Sequence, residues 1–112
     1  MIGSVTSPWY EAIVDSGADV CVFDASIARR MGIALDQVTA DEMAVLGRRG
    51  LGYPQAIKIA VGAHTFEATV LFFEDLQVAD LLGRKGFFDN FIVTFDHSSG
   101  PPTLLYERIV RT

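Results

Sequence analysis

The chain has 112 residues, 50% of them hydrophobic and 21% charged, with a formal charge of −5 and a single cysteine. That length and composition describe one compact domain, residues 1–112, and argue against disorder. The acidic balance disfavours general nucleic-acid binding, the apolar runs fall short of the ~20 residues a membrane span needs, and a lone thiol makes neither an internal disulfide nor a zinc site. With no basic-then-apolar leader after Met1, the expectation is a cytoplasmic protein whose partners are peptides or proteins.

In chain order, residues 9–14 and 20–23 read as strands, with Trp9 and Tyr10 as core or interface residues and Cys21 as a small core residue. Asp24 is a good N-cap for a short helix that sets Ile27, Ala28 and Met31 on one face and stops at Gly32. Residues 43–46 enter a hairpin whose tip is the glycine-rich stretch 47–52, with Arg48 and Arg49 at or near that tip. Apolar residues then recur at every second position through 57–61 and 66–72, and Gly62-Ala63 between them predicts a β-hairpin. Residues 81–83 form an apolar strand ending in glycine, and a second short helix is expected over 86–90, presenting Phe87, Phe88 and Phe91 inward. Strands over 91–95 and 103–106 flank a turn rich in Ser, Gly and Pro. These elements predict a mainly β domain of many short strands, a closed or partly closed barrel with one or two short helices. Neither His64 nor His97 has Cys or His partners at ligand spacing, and no metal site is expected.

Asp15 stands out because it follows Ala12-Ile13-Val14 and precedes Ser16-Gly17-Ala18. A carboxylate ending an apolar run needs donors; Gly17 lets the backbone turn tightly and Ser16 offers a hydroxyl. Alone, the tripeptide fits a structural turn as well as a site. Paired carboxylates have a distinct chemistry: two Asp side chains sharing one proton can activate water, one drawing its proton while the other polarises a carbonyl.

The segments "VDSGA" (14–18) and "LLGRKGFFDNF" (81–91), with the hairpin strands "VGAHTFEATVLFF" and the closing "FIVTFD", together resemble the retropepsin-like aspartic proteases, the single-domain relatives of pepsin, and most of all their bacterial members. The resemblance covers roughly residues 9–106. It implies a barrel of the acid-protease type with a flap hairpin, and an endopeptidase that needs no cofactor. Only one Asp-Ser-Gly occurs, so the family's dyad would draw Asp15 from each of two chains in a homodimer. The resemblance further implies that Ser16 locks the paired loops, Gly17 meets substrate, and Asp19 pairs with Arg84. Residues 47–52, including Gly50 and Leu51, would be the flap, and Ala18, Val22, Leu51, Ala79 and Leu81 the apolar substrate walls, with Asp19 also facing substrate.

Two features depart from that pattern. Fourteen residues precede Asp15, fewer than the family generally has, and Arg48-Arg49 stands where neutral residues are common. They motivate the rival reading, a non-catalytic module that keeps the fold to bind peptides or to dimerise. A third reading makes the chain a piece of a longer protein in which the barrel assembles a larger complex.

Overall fold

The computed structural model describes residues 11–45, 47–77, 80–98, 100–101 and 103–110. The expectations for Trp9, Tyr10, Leu46 and Ala79 fall outside them.

The fold is mainly β, with one α-helix among the described residues. The strands are β1 (Ala12–Val14), β2 (Val22–Asp24), β3 (Asp41–Val45), β4 (Arg48–Val61), β5 (His64–Phe73), β6 (Asp80–Leu82), β7 (Phe91–Asp96) and β8 (Thr103–Arg108). Six of them form one curled half-barrel sheet in the order β1-β6-β2-β5-β4-β3, and β7 and β8 make a separate antiparallel pair. Among the described residues β1 and β3 end that sheet and do not pair with each other.

The long β4–β5 hairpin forms as its alternation predicts, with Val61 opposite His64 and Gly62 in the turn at φ +58. Ile57, Ile59, Phe66, Ala68, Val70 and Phe72 are buried while Lys58, Glu67 and Thr69 are exposed, the period of two that lets one face cover a core. The helix α1 (Ala25–Arg30) begins where Asp24 accepts the Ser26 N–H at 2.9 Å and ends before Gly32, whose φ of +81 suits glycine. It buries Ala25, Ile27 and Ala28 against the main core.

Two expectations need correction. The second helix does not form: residues 86–90 are successive turns that follow the bridge of Lys85 to Val20, with Phe88 and Asp89 donating to the carbonyls of Gly83 and Arg84 five residues back. Phe87 and Phe91 are nevertheless buried and stacked on each other, with Phe91 edge-on to both Phe66 and Tyr106, so aromatic packing fixes this segment without a regular helix. The stretch 47–52 is not a loose tip. Arg48 already pairs with Val45, and Gly50 and Gly52 lie in β4 opposite Met43 and Asp41.

Neighbouring residues of three strands serve two cores. Cys21, Phe72 and Leu82 enter the main cluster, whereas Val22, Phe73 and Leu81 enter a second one with Leu76. Alternate side chains of a strand point to opposite faces, so the second cluster lies on the other face of the sheet. Ala18, Val20, Met43, Val45 and Leu71 pack against it, which brings the β3–β4 hairpin over that face.

Candidate functional site

Asp15 is the first residue after β1 and is half-buried. Its backbone N–H donates to the Leu82 carbonyl at 2.9 Å, continuing the parallel β1–β6 ladder by one bond. The chain then turns, with the Ala18 N–H returning to the Asp15 carbonyl at 3.1 Å. The Gly17 N–H donates to the Asp15 carboxylate Oδ1 at 2.8 Å, the donor such a carboxylate needs. A Cβ at position 17 would stand 3.1 Å from that oxygen, so glycine leaves the carboxylate its place. Ser16 and Gly17 are exposed, and a substrate or a second chain has access to them.

The turn is clasped by the chain leaving β6. Arg84 N–H donates to the Ala18 carbonyl and Lys85 N–H to the Asp19 carbonyl, both at 2.9 Å, and the Arg84 guanidinium pairs with the Asp19 carboxylate. Both partners of that pair are more than half exposed, so its energy is small and its effect is to orient two loops. Gly83 makes the clasp possible: a Cβ there would lie 2.2 Å from the Val20 carbonyl oxygen and 2.8 Å from that of Ala18. Beneath it, the buried Cys21 thiol accepts the Gly83 N–H at 3.4 Å and donates to the Lys85 carbonyl at 3.5 Å. Burial pushes the Cys21 thiol up. Two segments far apart in sequence are thus one unit in space.

The expected substrate walls divide. Val22 and Leu81 are 4% exposed and belong to the second cluster, so within the single chain they are core, not open wall. Ala18 is half-buried against the same cluster, and Leu51 is 45% exposed. Gly50 is half-buried in β4, where a Cβ would stand 2.8 Å from the Phe73 ring. Ala79 lies outside the described residues. Gly50 and Gly52 therefore serve close packing, since a Cβ on Gly52 would meet Met43 Sδ at 2.7 Å and Leu71 Cδ1 at 2.9 Å; Gly47 alone in this stretch takes a positive φ, of 78.

Several polar groupings carry no local signal in the sequence. Arg29 binds Glu74 through two bonds of 2.6 Å, Tyr53 donates its hydroxyl to the same carboxylate at 3.1 Å, and the Arg29 hydrogen bonds hold the Glu74 carboxyl below its usual range. Asp24 caps α1 and accepts the Leu76 N–H at 2.8 Å, while its own N–H donates to Asp80 Oδ1 at 3.0 Å. Burial, with the Asp24 charge adding to it, raises the Asp80 carboxyl above its usual range. Arg48 and Arg49, exposed cations near the hairpin turn, are both paired: Arg49 with Glu42 at 3.1 Å and Arg48 with Asp75 at 3.7 Å. An open concavity of about 440 Å3 between the end of α1 and Tyr53 lies apart from Asp15, with none of its lining residues in the 15–19 turn or in β6. His64 packs edge-on against Phe91 and Tyr106, and among the described residues no group of three or more His, Cys, Asp or Glu side chains is arranged to hold a metal ion. Nor is any described helix long and apolar enough to cross a membrane.

Comparison with known proteins finds no family model and no curated protein that matches this chain.

Proposed function

We propose that the protein is an aspartic endopeptidase acting as a homodimer, with the half-barrel as one protomer's part of a retropepsin-like fold. One observation carries this reading. The Asp15 turn and the 83–85 segment, recognised separately in the sequence, are joined by the bonds from Asp15 to Leu82, Arg84 to Ala18 and Lys85 to Asp19. A turn so clasped holds its carboxylate in a fixed place, which general acid-base catalysis requires.

Each chain brings a single Asp15, and two copies related by a two-fold axis would place their carboxylates side by side. Two such groups cannot both ionise, so they share one proton. The ionised Asp15 takes a proton from water as the water oxygen attacks the peptide carbonyl carbon, and the protonated Asp15 of the other copy donates to the carbonyl oxygen. The resulting tetrahedral intermediate collapses with proton transfer to the leaving nitrogen, and no cofactor enters. Ile13, 53% exposed two residues before Asp15, is an apolar side chain that a second copy would cover. Ala18, packed beside the apolar cluster of Val22 and Leu81, and the exposed Leu51 favour apolar residues on both sides of the cut bond.

The test is cleavage of a diverse peptide library, from mildly acidic to neutral pH, by the wild type and by Asp15→Asn. Cleavage should fall by about 100-fold or more in the variant, since it keeps the shape but cannot accept the proton. Equal cleavage by the two proteins ends the proposal. No cleavage by either, with both folded and dimeric, moves the reading to a peptide-binding module.

A further inference from the structure

The hairpin over the second cluster is joined to the rest of the sheet along only part of its length. Pairing between β4 and β5 runs from Val61 down to Gly52 opposite Phe73, and β5 stops there. One further bond, from the Glu74 N–H to the Leu51 carbonyl at 2.9 Å, ends the ladder. Among the described residues, 48–51 then have only β3 as a ladder partner, through Glu42, Met43, Ala44 and Val45. Isolated two-stranded ribbons are marginal in water, so this arm depends on what it lies against. Its inner side chains, Met43 and Val45, are only half-buried on the cluster of Val22, Phe73, Leu76 and Leu81.

A second attachment is polar. Arg48 Nη1 donates to Gln77 Oε1 at 3.2 Å, and Arg48 Nη2 lies 3.7 Å from Asp75 Oδ2. Gln77 Nε2 in turn donates to both Asp75 carboxylate oxygens, at 3.2 and 3.1 Å. The three side chains close a ring joining β4 to the segment that follows β5. Asp75 adopts φ +56, a left-handed conformation that Asp and Asn tolerate, and there its carboxylate meets Arg48 and Gln77. The neighbouring pair, Arg49 with Glu42, is different in kind: both residues belong to the arm, so it cannot hold the arm to anything else.

We propose that the ring of Arg48, Gln77 and Asp75 is a latch that holds β3 and residues 48–51, the hairpin the resemblance identifies as the flap, shut as a cover over the apolar face beside Asp15. Exposed ion pairs contribute little to global stability, and this one is 45% and 72% exposed. It acts instead on a local opening whose free energy is itself small, where a modest term changes the open population severalfold. Screening by salt releases the latch. What enters when the cover lifts is an extended apolar peptide, the ligand that the proposed protease reading requires; that consequence rests on the reading, while the latch does not.

Hydrogen exchange on the native protein at low and high salt tests it, in wild type, Arg48→Met, Asp75→Asn, their double variant and Arg49→Met. Asn keeps the left-handed turn at 75, and Arg49→Met makes the same charge change outside the latch. Amides of the 43–51 arm should exchange roughly two- to fivefold faster in Arg48→Met and in Asp75→Asn, with those of β5 unchanged. The double variant should match the singles, and salt should accelerate the wild type but not the double variant. Equal acceleration in Arg48→Met and Arg49→Met, or additive effects in the double variant, overturns the latch. Cleavage of an apolar peptide by the same proteins reports separately: latch variants with faster arm exchange should cleave faster at low salt. A wild type that cleaves nothing counts against the protease reading alone.

Discussion

Asp80 shows how one side chain can make stability depend on pH. It lies in the short strand that runs beside β1, close to the Asp24 carboxylate and accepting the Asp24 N–H. Burial and the Asp24 charge raise its folded-state pKa above the unfolded value. Between those two values the folded state holds more protons, so stability falls as pH rises through that window and settles at a lower level above it. Asp80→Asn keeps an acceptor for the Asp24 N–H and removes the charge. Urea unfolding from about pH 4 to about pH 8 should therefore show a variant more stable than wild type at neutral pH, with the difference shrinking toward acid. A variant that loses stability at every pH would contradict this account. Glu74 works in the opposite sense: the Arg29 bonds lower its pKa, and its contribution is lost as pH falls through the folded value.

Among the elements, the junction of β1 and β6 decides the site. A three-residue strand provides few ladder bonds, so the Asp15 turn is held in place by the clasp from 83–85. Gly83 admits no side chain there, because backbone oxygens of Val20 and Ala18 occupy the space a Cβ would take. Backbone cannot rotate aside as a flexible side chain can, and Gly83→Ala must separate the two segments or strain them. The expected loss is about 3 kcal/mol or more in urea unfolding, the upper range for overpacking. A stable Gly83→Ala protein with an unchanged Asp15 turn would show that the clasp is not needed. The hairpin teaches the opposite lesson about glycine, since Gly50 and Gly52 are regular strand residues whose missing side chains make room for Phe73, Met43 and Leu71.

At the scale of the whole molecule, the half-barrel carries one candidate carboxylate turn, and the proposed mechanism draws its partner from a second copy. If two copies supply the dyad, activity belongs to the dimer and specific activity should fall on dilution, with the half-point at the dimer dissociation constant measured by sedimentation. Activity independent of dilution well below that constant would place the whole chemistry in one chain. Exposed apolar side chains at Ile13, Ile92, Phe95 and Leu105 show that the isolated chain leaves several apolar positions uncovered.

The sequence by itself determined whatever depends on near neighbours. Alternation at 57–61 and 66–72 with Gly62 between them specified the central hairpin, because the pleat imposes a period of two. Asp24, Ile27, Ala28 and Gly32 specified the helix through its cap, its buried face and its stop. The Asp15 turn was legible as a carboxylate among apolar and small residues. Only the tertiary structure decided the rest. The aromatic cluster made a regular helix at 86–90 unnecessary, and side-chain packing across β4 claimed the glycines that looked like a flexible tip. Which residues meet Asp80 or Arg48 depended on strands brought together from distant parts of the chain, and periodicity carries no information about such partners; the Asp19–Arg84 pair alone was expected, from the resemblance.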